Sequence, residues 1–370
     1  MTGIPVSGTP RDSRLDTLRG LFLVVMTVDH FSVFRSFAFG SFGYTSVAEG
    51  FVFLFGLVAG MVYGETARSD SFGAMRRKTR RRALVFYGTH LSLYIALLAL
   101  SVTAAGWGAA FKRWAPLFGK DPVMSFILGA ALLYQPTHLD ILPMYVLFLA
   151  LAPFAIRLCI EGKSRIVWAA SLSVYVLAQW DIPMSLLFAV TEPLPVRVGF
   201  MDPFAWQLLF YAGLCFGVPD RGENPPIPNY RPLLLAGCAL VAILMFACRH
   251  GFLELPWGSG RPDMFGRSEL RPLRLLNFAA VAYLVSWGLS ASGKNRGVPF
   301  LAFLGRHALP VFAYQMLMVY LLYPVLPEFA RLAPFPKAFL SAGAAASLFV
   351  PAVLHRYYRR WVRKKAKGSG

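Results

Sequence analysis

Apolar residues in this chain gather into long unbroken runs, separated by short stretches that are polar or basic. The runs cover residues 18–38, 45–64, 83–104, 122–134, 140–158, 164–181, 203–218, 231–249, 274–290, 299–324 and 335–355. Most are close to the ~20 residues that an α-helix needs to cross a bilayer. The fourth, Pro122 to Tyr134, is too short: at about 1.5 Å per residue it reaches near 20 Å, against a hydrocarbon core of about 30 Å. The pattern predicts an all-α, polytopic membrane bundle of about ten transmembrane helices plus one short re-entrant or interfacial segment. Its expected organisation is a cytoplasmic N-terminal segment at 1–17, a transmembrane domain at 18–355 and a basic cytoplasmic tail at 356–370.

Composition supports the membrane reading. Hydrophobic residues make up 56% and charged residues 15% of the chain, where a soluble domain carries about 25% charged residues. The formal net charge of +19 is concentrated rather than spread. Arg76, Arg77, Lys78, Arg80, Arg81 and Arg82 form one cluster, and Arg356, Arg359, Arg360, Arg363, Lys364, Lys365 and Lys367 another. Both abut apolar runs, as cytoplasmic ends of membrane helices do. The expected partners of these clusters are membrane lipids with anionic headgroups, not nucleic acid. If 122–134 does not cross, both termini face the cytoplasm and the basic segments fall on that side. One segment resists. Residues 249–274 would face outward, yet they hold Arg249, Arg261, Arg267, Arg271 and Arg274 against Glu254, Asp263 and Glu269. Trp107 and Trp114 fit an outer interfacial belt. Cys159, Cys215, Cys238 and Cys248 read as small buried hydrophobes, and no spacing suggests a metal site or a glycine-rich phosphate loop. No cleavable signal peptide is evident at the N-terminus.

Ionisable residues inside membrane segments are costly and point to function. The first helix is dense with them. Arg14, Asp16 and Arg19 lie at its cytoplasmic mouth, and Asp29-His30 follows an apolar stretch. Arg19 and His30 are eleven residues apart, close to three helical turns, so they share one face about 16 Å apart. An imidazole at the far end of such a stripe suits general-base work on a hydroxyl. Adjacent helical residues diverge by about 100°, so Asp29 is badly placed to orient His30 unless the helix breaks. Glu49, at the outer start of the second helix, is the preferred orienting carboxylate. A glutamate there also suits the helix N-terminus.

Gly56, Gly60 and Gly64, spaced by four, form a small-residue stripe for close helix packing. The segment Gln135-Pro-Thr-His-Leu-Asp-Ile-Leu-Pro-Met-Tyr145 concentrates further polar groups. His138 and Asp140 there are cavity candidates, with helix capping by Thr137 or Asp140 as the structural alternative. His90, Gln207, His307 and Gln315 read as packing groups between helices. Arg306 is the preferred phosphate contact among the weaker candidates. Residue chemistry alone leaves a polar-cavity enzyme and a transporter both open, although no matched pair of broken helices favours the transporter.

The opening R-x-x-R-L-D-x-L-R-G followed by Asp29-His30 resembles the OpgC family of bacterial inner-membrane proteins. So do Ala48-Glu-Gly-Phe-Val-Phe-Leu-Phe-Gly-Leu-Val-Ala-Gly-Met-Val-Tyr-Gly64, Thr137-His-Leu-Asp-Ile-Leu-Pro-Met-Tyr145, Pro203-Phe-Ala-Trp-Gln207 and Gly305-Arg-His-Ala-Leu-Pro-Val-Phe312. The resemblance covers roughly residues 10–355 and extends to the wider acyltransferase-3 group, whose arginine–ten residues–histidine pattern falls on Arg19 and His30. It implies a CoA-dependent O-acyltransferase that moves succinyl from succinyl-CoA to glucose hydroxyls of an osmoregulated periplasmic glucan. No permanently bound cofactor is implied; the acyl-CoA is a donor substrate, and glucan-synthesis proteins are expected partners. His30 would be the general base, with Glu49 and Asp29 beside it. Arg14, Asp16, Arg19, His138, Asp140 and Arg306 would bind the donor, the arginines because guanidinium forks suit phosphates and carboxylates. Acetyl transfer to another polysaccharide is the nearest alternative, and transport of an anionic metabolite or glycan the alternative of a different class.

Overall fold

The computed structural model describes residues 12–30, 42–103, 111, 113–218, 231–253, 263–291, 297–322 and 332–368. Among these the regular secondary structure is helical. The elements are α1 (Ser13–His30), α2 (Val47–Ser69), α3 (Phe72–Thr103), α4 (Pro116–Lys120), α5 (Pro122–Ala130), α6 (Ile141–Ile160), α7 (Ser164–Ala178), α8 (Ile182–Thr191), α9 (Pro203–Gly217), α10 (Pro232–Arg249), α11 (Pro272–Ala291), α12 (Pro299–Arg306), α13 (Ala308–Leu322), α14 (Pro334–Ser347) and α15 (Phe349–Gly368). The β-type pairing among described residues is a single bridge between Tyr134 and Arg197.

The fold is an all-α polytopic membrane bundle. Among the described residues, six segments are long and apolar enough to cross a bilayer: α2, α3, α6, α10, α11 and the joined α14–α15. A seventh follows if α7 and α8, bent by 73°, form one broken span. The expected ten are not reached on this measure, for local reasons. α1 carries Arg14, Asp16, Arg19 and Asp29 within its 18 residues. α9 has only 15 residues. The apolar run at 299–324 is broken at His307 into α12 and α13. The helix at Ile182–Thr191 was not expected either; Asp181, in a left-handed conformation (φ 56°), starts it after a turn. α5, in the short fourth run, has nine residues. α10 buries none of its residues inside the protein, which leaves its Leu- and Ile-rich surface for lipid.

Close helix packing rests on glycine where backbones touch. α2 and α9 interlock from both sides. A Cβ on Gly56 or Gly60 would collide with the carbonyl oxygens of Phe210 and Leu214, and one on Gly213 or Gly217 with those of Phe53 and Leu57. The small-residue stripe is therefore structural at Gly56 and Gly60. α1 packs on α12 in the same way: Gly20 meets the Leu301 carbonyl and Gly305 the Asp16 carbonyl. The Ser13 hydroxyl also accepts from the Gly297 N–H at 2.8 Å. The core between these pairs is aromatic, with Phe55 stacked on Tyr145 at 4.1 Å and Phe86 edge-on to Tyr145 at 5.6 Å.

Candidate active site

α1 is one uninterrupted helix from Ser13 to His30, so Arg19 and His30 lie on a single rod. At its N-terminal end, Arg14 pairs with Asp12 (Nη2–Oδ2 2.9 Å) and donates from Nη1 to the Leu289 carbonyl at 2.9 Å. This ties α1 to α11. Asp16 is 3% exposed and faces Arg19 across 3.5 Å. Arg306 belongs to α12, directly after the glycine that touches the Asp16 backbone, and its Nε donates to the Ala302 carbonyl at 3.1 Å. These four residues thus gather near one end of α1.

The other end holds the imidazoles. His30 and His138 meet edge to face, with ring centroids 5.0 Å apart. His138 stands in a non-helical segment between α5 and α6 and takes a left-handed conformation, φ 72°. Such backbone is costly for a non-glycine residue and is held here by its surroundings. Trp114 packs edge-on to His138 at 5.1 Å and to Tyr320 at 5.0 Å. The Tyr320 hydroxyl donates to the Thr137 carbonyl at 2.5 Å. Arg197 donates to the Thr137 hydroxyl at 3.0 Å and to the Trp114 carbonyl at 3.2 Å. Burial and Arg267 push the His138 imidazole below its ordinary pKa, and Asp140 opposes them.

Asp140 precedes α6 but does not cap it. Its Oδ2 accepts the backbone N–H groups of Phe200 (2.8 Å) and Met201 (3.0 Å), fastening the segment before α9. Gly199 is needed at this point, because a Cβ there would strike the Asp140 side chain.

Glu49 is fully buried. It closes a capping box with Ser46, whose N–H and hydroxyl donate to Oε2 at 2.9 and 2.6 Å. Its Oε1 accepts from Arg274 Nε in a buried ion pair. Asn277, one turn along α11, accepts from the N–H groups of Tyr44 and Thr45 at 2.7 and 3.1 Å. The start of α11 therefore grips the start of α2.

Arg267 was not singled out from the sequence. Its guanidinium lies within electrostatic reach of Glu49, Asp140, Asp29 and Arg274. The excess positive charge at 249–274 thus has a local account in Arg274 and Arg267: they serve the buried carboxylates of this site. Arg197 and Tyr320 were not singled out either, and Trp114, expected in an outer interfacial belt, packs on His138 instead. Nothing in their spacing points to His138, and only the folded chain brings them to it. Of the expected packing groups, Gln207 accepts from the Ser171 hydroxyl at 2.6 Å and donates to the Ser171 carbonyl at 2.7 Å. His90 meets the Gly129 carbonyl at 3.2 Å. His307 and His355 are hydrogen-bonded through Nδ1 atoms 2.8 Å apart. Trp107 lies outside the described residues. Among the described residues no three His, Cys, Asp or Glu side chains cluster as metal ligands do.

The model of the OpgC protein family matches residues 11–360. The chain belongs to the OpgC family. The match spans every residue of the two polar ends of α1, and it carries an acyltransferase-like assignment for the OpgC chain as a whole. Neither a curated protein nor a solved structure matches it.

Proposed function

We propose that this OpgC chain is a CoA-dependent O-acyltransferase of the bacterial inner membrane, with both termini in the cytoplasm. It moves succinyl from succinyl-CoA to glucose hydroxyls of a periplasmic glucan, alongside the proteins that synthesise that glucan. The observation that carries the reading is the His30–His138 contact at one end of an unbroken α1 whose other end bears Arg19. A donor bound by its anionic groups at Arg14, Arg19 and Arg306 would run along α1 to the imidazoles.

In this reading His30 removes the proton from the acceptor hydroxyl as its oxygen attacks the thioester carbonyl. A tetrahedral oxyanion forms and needs donors aimed at its developing charge. Arg267, held among Asp29, Asp140 and Glu49, supplies that positive charge. The C–S bond then breaks, and the thiolate takes the proton from the His30 imidazolium, leaving ester and free CoA. His138 fixes the His30 ring, and Trp114, Thr137 and Tyr320 fix His138.

Acceptor-dependent release of CoA by the purified protein in lipid, with succinyl-CoA and acetyl-CoA compared, tests this. Faster release from succinyl-CoA with ester formed on the glucan is expected. Preference for acetyl-CoA would reassign the acyl group. No release from either donor, together with flux of intact substrate across the membrane, would overturn the enzyme in favour of a transporter.

A further inference from the structure

Gln207 and Gln315 are both buried on helices, and their surroundings differ. Gln207 is fully engaged with Ser171. Gln315 on α13 is 0% exposed, and neither its Nε2 nor its Oε1 has a hydrogen-bond partner among the described residues. Tyr145 on α6 is 2% exposed, and its hydroxyl is likewise without a partner there. Buried polar groups are almost always hydrogen-bonded, so each exception calls for a reason.

Gln315 and Tyr145 are neighbours in the fold. The Phe51 ring stacks with Tyr145 at 6.4 Å and with Phe312 at 6.3 Å. Phe312 lies three residues before Gln315 on the same helix, hence on the same face. Their depths agree. Tyr145 lies five residues beyond Asp140, and Gln315 five residues before Tyr320. Asp140 and Tyr320 both belong to the His138 surroundings, so each idle group sits about 7–8 Å from that level. The Tyr145 hydroxyl is also within electrostatic reach of Arg19. Idle polar groups therefore lie between Arg19 and the imidazoles.

The chemistry narrows the ligand. A glutamine amide carries both N–H donors and a carbonyl acceptor, and the Tyr145 hydroxyl can donate or accept, so the two side chains together can meet the carbonyl and the N–H of a secondary amide. A carboxylate or phosphate would use only donors. We propose that Gln315 and Tyr145 form a buried subsite that hydrogen-bonds a secondary amide of the donor's pantetheine arm. The thioester then stands at His30, since only a short ethylene link separates the first amide from the sulfur. This inference rests on the acyl-CoA reading above.

The test uses the full chain in lipid nanodiscs. Wild type, Gln315→Leu and Tyr145→Phe are given two donors: succinyl-N-acetylcysteamine, which keeps one amide, and a succinyl thioester of a simple alkanethiol, which has none. Gln315→Leu is expected to raise KM for the amide-bearing donor about tenfold, leaving its kcat and the acceptor KM within about twofold. The amide-free donor should be unaffected. Without donor, Gln315→Leu should also melt above wild type, because an unpaired buried amide has gone. Equal effects on both donors would overturn the subsite as merely structural. A lower melting temperature with unchanged KM would assign the amide to internal water and overturn it also. Wild type that turns over while both variants keep its donor KM overturns the subsite alone. Wild type that neither releases thiol nor is stabilised by desulfo-CoA overturns the acyl-CoA reading, and the subsite with it.

Discussion

His30 and His138 come from segments more than 100 residues apart, yet their rings meet edge to face at 5.0 Å. His30 ends the helix that also carries Arg19. His138 hangs from an irregular segment held by Trp114, Arg197 and Tyr320. One imidazole therefore stands on a rigid rod and the other on a braced loop.

The brace gives the first prediction. Tyr320→Phe removes the hydrogen bond to the Thr137 carbonyl and should cost about 1 kcal/mol of stability. If His138 positions His30, the same change should lower kcat with little change in either KM. Steady-state kinetics beside a thermal melt checks both. A kcat equal to wild type would show that the brace does not serve the reaction.

The buried Glu49–Arg274 pair gives the second. Both side chains are nearly inaccessible, at 0% and 8% exposed. Glu49→Gln leaves the Arg274 charge without its counter-ion and should destabilise by about 3–5 kcal/mol. Glu49→Leu combined with Arg274→Met should recover much of that loss. Melting in detergent or lipid measures it, and a double variant worse than the single one would contradict this account.

Much of this was legible in the sequence, and the rest was hidden for identifiable reasons. Run length and charge bias report the all-α membrane bundle, and the eleven-residue spacing reports the common rod of Arg19 and His30. The count of spans was less legible. Run length does not register the break at His307 or the turn at Asp181 that starts α8. The partners of Glu49 were out of reach because Arg274 lies more than 200 residues away. The clue lay in the surplus arginines at 249–274, which read as a breach of charge bias until their buried carboxylates are seen. Gln315 reads like Gln207 in sequence; only packing separates the satisfied amide from the idle one.

Helix contact gives a third prediction. Gly213→Val would drive side-chain atoms into the Phe53 carbonyl and force α9 from α2, whereas Gly88 faces open space. Gly213→Val should abolish the monodisperse folded protein. Gly88→Ala should be neutral or stabilising by up to about 1 kcal/mol. Size-exclusion profiles and melts distinguish them, and a well-folded Gly213→Val protein would show that the close crossing is dispensable.

Asp202, at the start of α9, gives a pH dependence. Burial is the main cause that pushes its carboxyl from 3.8 up to about 6; Asp181 and Glu269 add to the rise, and the Phe204 and Ala205 N–H groups oppose it. The folded state thus holds a proton that the unfolded state gives up near 3.8. This stabilisation is full below that value and is lost as pH rises through about 6. The shift corresponds to about 3 kcal/mol at most. Asp202→Asn should flatten stability between pH 4 and about 6 while keeping a side-chain acceptor for the Phe204 N–H. An unchanged pH slope in the variant would remove Asp202 as its source.

In the proposed reaction His30 carries the acyl transfer. The direct measurement is transfer of labelled succinyl from succinyl-CoA to glucan by the protein in lipid vesicles, with wild type and His30→Ala compared at equal, verified folding. Label should appear on the glucan with matching CoA release, both reduced about 10²- to 10⁴-fold in His30→Ala. Labelled glucan formed equally fast without the imidazole would contradict it.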